Sequence, residues 1–253
     1  MPRALASESG QAAVETAVTM PLTLFILLGT LQLFMLLQGR LFAEHAAYKA
    51  VRVGVVKHGD CEAMTDAAIA AVLPSFISYL GEGTPGASPD EKLVNAWKAR
   101  ARGRPNNNAY EPTLDNDYRG SVVWLLRESP RVNQVTARSE DDFDDPDGPG
   151  YRLELKLVYW YPLRIPFANW TMAAMYRAWF GLADYEGVNP LMPTQKARWT
   201  HQGSHALDAF AAEFEQRYAR EEYVFPITAS YAMRMMTPPR RSLFARQNCE
   251  PAP

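Results

Sequence analysis

The chain has 253 residues, which leaves one ordinary domain once a membrane segment is set aside. Its formal net charge is only −2 and 21% of its residues are charged, so no broad positive field favours nucleic acid as a partner. Aromatic residues make up 11% of the chain, which excludes a disordered chain and predicts a folded core.

An uncharged, leucine-rich run occupies residues 16–39. At 1.5 Å per residue it is about 36 Å long, enough to cross the hydrocarbon core of a bilayer. A cleaved secretory signal is the alternative interpretation, but its apolar region is shorter and ends at a small-residue cleavage site, whereas this run ends in Gln38, Gly39 and Arg40. The run therefore predicts a transmembrane helix.

Helical spacing of apolar residues continues beyond this run, so one helix is expected over residues 11–56. Pro21 lies inside it and should remove a backbone hydrogen bond and loosen the helix there. Four cations follow the apolar run, which by the positive-inside rule places the next domain in the cytoplasm; they are Arg40, Lys49, Arg52 and Lys57. That rule is weak for long domains, so the orientation depends on the N-terminal motif.

The N-terminal motif consists of a short polar stretch that ends in Gly10, with Glu15 five positions later as a lone acid at the edge of the apolar run. A carboxylate inside an apolar helix costs a few kcal/mol, roughly, and usually has a partner. The alternative interpretation is that Glu15 is a plain anchor residue in the headgroup layer and that Gly10 only starts a helix.

This N-terminal pattern resembles that of type IV prepilins, and more closely that of the TadE-like pseudopilins of tight-adherence pili. The resemblance covers about residues 9–56 and rests on Gly10, Ala13, Val14, Glu15, Ala17, Pro21, the apolar run and the alanine-rich residues 46–52. It implies that residues 1–10 are a leader that a prepilin peptidase removes after Gly10. The mature chain would then begin at Gln11, whose α-amino group is the natural partner of Glu15 on the same or a neighbouring helix.

The resemblance also implies where the protein lies and what it contacts. The expected location is the bacterial inner membrane, with a periplasmic domain and incorporation into a surface pilus. The expected partners are other pilin or pseudopilin subunits, the prepilin peptidase, an inner-membrane assembly platform and membrane lipid. Glu15 and Pro21 are the residues to which assembly roles are assigned.

The rest of the chain, residues 58–253, predicts an α+β domain. A second helix is expected over residues 63–80, interrupted at Pro74, and a third begins at Pro89 with Ser88 as its N-cap and ends near residue 103, before a loop over residues 104–117. Alternation over residues 151–161 predicts the clearest strand. Residues 132–138 are expected to pair with it across an acidic loop, and residues 227–235 supply a third strand.

Two more helices complete the predicted architecture, an amphipathic one over residues 207–218 and a strongly apolar one over residues 168–182. We expect the rings of the apolar helix mainly in the core, and the alternative is a partner contact or a membrane-surface face. The pilin likeness implies an antiparallel sheet packed on the outer half of the long N-terminal helix. Residues 161–166 and 232–236 are also similar to segments of TadE-like proteins, which extends the resemblance into this domain.

The chain has two cysteines, Cys61 and Cys249, and they bracket the domain. In an oxidising compartment a bridge between them would close a loop of almost the whole domain. The alternative is two unrelated thiols. The choice depends on whether their Cα atoms approach to bonding distance.

Candidate metal sites are weak. Asp145, Asp147 and Glu154 fall at the third, fifth and twelfth positions of a calcium loop, but Phe143 occupies the first, so a solvated acidic hairpin loop is the alternative. His201 and His205 are spaced four apart, which some metal sites use, although polar residues at a helix start also explain them.

Catalysis is not expected, because no nucleophile–base pair or paired carboxylates stand out in the sequence. No cofactor is expected apart from the calcium hypothesis. Two functions remain in competition. The first is a minor pilin or pseudopilin that takes part in assembly of a tight-adherence pilus or a related secretion apparatus. The second is a membrane-anchored ligand-binding or enzymatic domain whose helix is only an anchor.

Overall fold

The computed structural model describes residues 9–76, 86–100, 109–110, 120–136, 143, 150–182, 205–250 and 252. The helices are α1 (Ser9–Val56), α2 (Cys61–Phe76), α3 (Pro89–Arg100), α4 (Ala168–Leu182) and α5 (His205–Ala219). The strands are β1 (Ala109–Tyr110), β2 (Gly120–Ser121), β3 (Val123–Ser129), β4 (Arg152–Pro162) and β5 (Val224–Arg234).

The main sheet is antiparallel, with β4 between β3 and β5. β4 pairs with β5 along its full length, from Arg152 opposite Arg234 to Pro162 opposite Val224. β1 and β2 form a separate two-stranded ribbon. Together with the long α1 and the other helices, this sheet confirms the predicted α+β fold class.

Small residues let the upper half of α1 lie close against the sheet. Ala43, Ala46, Ala47 and Ala50 are fully buried there. A Cβ atom added at Gly39 would lie 2.7 Å from the ring of Tyr161 in β4, and one added at Gly54 would lie 2.6 Å from the side chain of Leu153 at the other end of that strand. β4 therefore runs antiparallel to α1, at the closest distance that side chains permit.

The third helix begins where the sequence predicts it. The backbone N–H of Glu91 donates to the Ser88 hydroxyl at 3.3 Å, and the Glu91 carboxylate accepts from the N–H of Ala87 at 3.0 Å. These bonds satisfy donors that have no partner inside the helix. α2 passes through Pro74 without ending, since it extends to Phe76.

One strand was expected in the wrong place. The partner of β4 is β3, whereas residues 132–134 of the expected 132–138 strand form a short 3-10 helix. Pro130 has no N–H to continue the ladder, and the Gln134 side chain accepts from the backbone N–H of Arg131 at 2.8 Å, which favours a turn. β1 also lies inside the loop expected over residues 104–117.

The helix predicted over residues 168–182 is present as α4, but its rings do not all enter the core. Ala173 is buried and Tyr176 is half-buried, packing with Phe225 and Phe214 at ring-centroid distances of 4.9 and 5.1 Å. Burial raises the pKa of Tyr176 to about 12. Trp170 and Trp179, by contrast, are 55% and 62% exposed, so the expected core role is wrong for them.

Residues 235–250 follow β5 and pack against the start of α2 and the edge of β3. Cys249 is disulfide-bonded to Cys61 at the start of α2, with their Cα atoms 5.2 Å apart. The backbone N–H of Cys249 also donates to the carbonyl oxygen of Leu125 at 3.1 Å, so this segment covers part of the edge of β3. Covering an edge strand hides backbone groups that could otherwise pair with another chain.

The buried guanidinium of Arg127 in β3 bonds this segment and also the turn after α1. It donates to the carbonyl oxygens of Gly59 and Leu243 at 3.1 Å, of Gln247 at 2.8 Å and of Arg246, and it lies 4.0 Å from the centre of the Phe244 ring. Burial lowers the pKa of Arg127 to about 10, against the opposing charge of Asp60. The guanidinium is thus still protonated at neutral pH and satisfies four carbonyls.

A bulky side chain at Gly39 should separate α1 from the sheet. We expect Gly39→Leu to lower the free energy of unfolding by about 1–3 kcal/mol, the usual cost of overpacking. Gly29→Leu is the matched control, because both changes gain helix propensity but a Cβ at Gly29 meets nothing within 4 Å. Denaturant unfolding of the two variants in detergent, followed by near-ultraviolet circular dichroism, makes the comparison. Equal stabilities would contradict the close packing.

Removing the disulfide should destabilise the domain, because the bond joins residues 188 positions apart. Chain-entropy models credit closure of so long a loop with about 5 kcal/mol, and measured values are often smaller. We expect Cys249→Ser to lower the midpoint of thermal unfolding by several degrees, and Cys61→Ser and the double variant to lower it equally. Faster migration of the non-reduced wild type in denaturing electrophoresis would verify the bond, and identical mobility with two alkylatable thiols would refute it.

Candidate functional site

The candidate site is the exposed surface of α1. Residues 14–56 form a helix long and apolar enough to cross a membrane, and only 6% of its most apolar 18-residue window is buried. The core helix of a water-soluble protein would be mostly buried. Large apolar side chains are exposed along this part, including Val14, Val18, Met20, Leu22, Leu24, Phe25, Ile26, Leu27 and Leu31. Such a surface needs an apolar environment.

Three threonine hydroxyls inside this apolar part are satisfied within the helix. The hydroxyl of Thr19 donates to the carbonyl oxygen of Glu15 at 2.8 Å, and those of Thr23 and Thr30 donate one turn back at 2.9 and 2.8 Å. Bonds of this kind hide a hydroxyl where water is absent. Pro21 lies in the same stretch and α1 continues through it.

The residues of the predicted processing motif lie at the start of α1. Gly10 and Gln11 belong to its first turn in backbone conformation, and the side chain of Glu15 is exposed. Gln11 and Glu15 are four positions apart, so the two residues lie on one helix face about one turn from each other. The backbone thus allows a charge on the nitrogen of Gln11 to approach the carboxylate of Glu15.

Counted from Val14 along α1, Gln32 is the first residue that the domain buries completely. It lies inside the apolar run, is fully buried, and its Oε1 accepts from the backbone N–H of Ile165 at 2.9 Å. This residue was not predicted from the sequence. Its signal was an amide in the middle of an uncharged run, because a buried amide in an apolar setting needs a hydrogen-bond partner.

The positions proposed for calcium are not brought together by the parts of the chain that the structure describes. Asp145 and Asp147 lie outside the described residues, as does His201. Glu154 is in β4 and forms an ion pair with Arg152, with 3.3 Å between Oε1 and Nε. Among the described residues no group of three acidic, histidine or cysteine side chains could hold a metal ion. The calcium hypothesis stays a prediction.

Comparison with known proteins gives one match. A family model described as TadE-like protein matches residues 10–52, which is 43 of the 253 residues and almost all of α1. No curated protein and no solved structure matches the chain. The apolar helix and the family match fit a membrane-anchored, single-pass protein. The TadE-like resemblance predicted from the N-terminal motif is confirmed for the segment that forms α1.

Proposed function

We propose that the chain is a minor pilin or pseudopilin that enters a tight-adherence pilus, or a related secretion apparatus, through α1. The observation that carries this proposal is the position of the family match. It covers α1 from the predicted processing site to the last turns packed on the sheet. In this proposal the α+β domain has a structural role rather than a catalytic one.

The length of the exposed apolar surface supports a role in assembly. Large apolar residues remain exposed up to Leu41, on the side of α1 that the domain leaves uncovered. From Val14 to Leu41 the helix extends about 42 Å, whereas the hydrocarbon core is about 30 Å thick. Tilt can absorb part of the difference. A neighbouring helix would cover the remainder, which is what subunit packing in a filament provides.

The disulfide supports a periplasmic location for the domain. Disulfide bonds persist in oxidising compartments and are rare in the bacterial cytoplasm. The four cations after the apolar run argue the other way, but some of them are engaged within α1. Arg40 forms an ion pair with Glu44 at 3.2 Å, and Arg52 donates to the hydroxyl of Tyr48 at 3.2 Å. A covalent bond between the two cysteines outweighs a statistical charge preference.

Processing after Gly10 is the first part of the proposal to test. Gly10→Leu leaves the apolar run unchanged, so we expect normal membrane insertion but a chain that keeps its leader. N-terminal sequencing of the membrane-purified wild type should begin at Gln11, and that of the variant should begin upstream. Gly29→Leu is the control, since it makes the same change farther along the helix. Unchanged processing in the Gly10 variant would favour the tethered-domain alternative.

Assembly should depend on Glu15. Glu15→Ala removes a costly charge from the edge of the apolar run, so membrane abundance should be at least that of wild type. If Glu15 pairs with the α-amino group of a neighbouring subunit, its loss leaves that amine unpaired, which typically costs about 3–5 kcal/mol. Incorporation should then fall by about 100-fold or more. The measurement is the ratio of protein in sheared surface filaments to protein in the membrane.

The matched control for this experiment is Glu44→Ala, the same chemical change on α1. Glu44 is exposed and paired with Arg40 beyond the apolar run. We expect this variant to enter filaments as wild type does, because an exposed ion pair of this kind contributes little. Wild-type incorporation of Glu15→Ala would show that the carboxylate is only an anchor residue.

A further inference from the structure

The end of the domain that lies nearest to the exposed, apolar N-terminal half of α1 can be identified from three contacts. Leu153 lies against Gly54, Tyr161 against Gly39, and the N–H of Ile165 bonds to Gln32. Successive residues of β4, and those just after it, therefore contact positions of α1 that lie progressively closer to its exposed, apolar N-terminal half. Twenty-two residues of helix separate Gly54 from Gln32, which is about 33 Å.

The chain changes direction at the turn that follows Ile165. Pro166 and Phe167 are exposed, and α4 starts at Ala168. Phe167 has a positive φ of 65° and 74% of its side chain is exposed. Both features are costly for a large apolar residue in water. The turn is nevertheless well held, since the Phe167 carbonyl accepts from the hydroxyl and the N–H of Thr171 at 2.7 and 3.2 Å.

The height of this turn relative to a bilayer follows from α1. About 20 helical residues cross the hydrocarbon core. If Glu15 lies at the inner edge, the core extends to about residue 35, and Gln32 is about 5 Å inside its outer edge. If instead Arg40, the first charged residue after the run, marks the outer edge, Gln32 lies deeper. With either boundary, the turn bonded to Gln32 lies below the outer edge of the hydrocarbon core, at a depth that lipid occupies.

We propose that this turn and the first turn of α4 form a membrane foot, made of Arg164, Phe167 and Trp170, that inserts into the lipid surface beside α1. Trp170 is 55% exposed, and tryptophan favours the boundary between acyl chains and headgroups. Arg164 is also exposed and would meet the phosphate groups of that layer.

Lipid is the occupant because the foot is continuous with the transmembrane surface of α1. The bond to Gln32 fixes it at a level where neighbouring apolar side chains of α1, such as Leu31 and Leu33, are exposed. A partner protein would have to displace lipid to reach the same side chains. The foot gives the domain a second attachment to the membrane, and two attachments hold its tilt and rotation relative to the bilayer, which a single helix does not.

Spin labels can measure the depth of the foot. Since Cys61 and Cys249 are the only cysteines of the chain and are bonded to each other, one introduced cysteine gives one free thiol. The full chain carrying Phe167→Cys is labelled and reconstituted into phospholipid vesicles. Collision rates of the label with oxygen, which concentrates in lipid, and with a water-soluble nickel chelate are then compared.

Two control labels set the scale. Leu27→Cys lies in the exposed apolar half of α1, and 61% of Leu27 is exposed. Met236→Cys lies at the opposite end of the domain, where the N–H of Met236 bonds to the carbonyl of Val55 at 3.0 Å, and 65% of Met236 is exposed. We expect the ratio of oxygen to nickel collisions at position 167 to be severalfold higher than at 236 and to lie between the ratios at 236 and 27.

Each other outcome contradicts the membrane foot. A ratio at 167 equal to that at 236 would place the turn in water, and a label shielded from both reagents would place it under protein. If the label at position 27 is in lipid while the label at 167 is not, the membrane foot is wrong but the assignment of α1 as a membrane anchor is retained. If position 27 is itself in water, the membrane anchor on which the foot rests is wrong as well. None of these readings depends on leader removal or filament entry.

Discussion

The close packing of α1 on β4 and β5 determines where the rest of the molecule lies. Alanines 43, 46, 47 and 50 have side chains too small to hold the sheet away, and Gly39 and Gly54 let Tyr161 and Leu153 touch the helix backbone. Because an α-helix and a β-strand are both stiff, contacts at two ends of β4 fix the whole strand along the helix. The depth of each described part of the domain is then set by its place in the sheet.

α1 serves two environments with one continuous helix. Its lower part is exposed around most of its circumference, as lipid or neighbouring helices require, and its upper part is buried on one face only. The composition changes accordingly, from leucine-rich to alanine-rich, within a single hydrogen-bonded rod. A family match that covers residues 10–52 therefore spans both the apolar surface and the part that positions the domain.

How much the sequence could predict depended on whether the signal was local. β4 and β5 alternate along their length and were found, as were α1 and the capped start of α3. β3 was missed because Val122 to Leu126 is a continuous apolar run without alternation, and such a run fits a buried helix as well as a buried strand. Residues 132–138 were predicted instead because they adjoin the acidic loop before β4, but they follow a proline.

The residues of the candidate site likewise differ in whether their signal in the sequence was local. Gly10, Glu15 and the apolar run are adjacent in sequence, so the motif was visible. Gln32 and Arg127 acquire their roles only from distant partners, Ile165 in the first case and the carbonyls of residues 243–247 in the second. The pairing of the cysteines also depended on a distance between Cα atoms that no spacing in the sequence gives. The exposure of Trp170 and Trp179 likewise follows from which face of α4 meets the sheet.

The segment around Cys249 makes the order of synthesis matter. Three of the carbonyls that bond Arg127 and the thiol that bonds Cys61 come after β5 in the sequence, so they are made later than the strands that they hold. Until that part is made, Arg127 lacks three of the four carbonyls that it bonds in the folded domain, and the edge of β3 is uncovered. A chain shortened by a premature stop just before Cys249 should thus resemble an unfinished domain, and proteases would be expected to treat it as one.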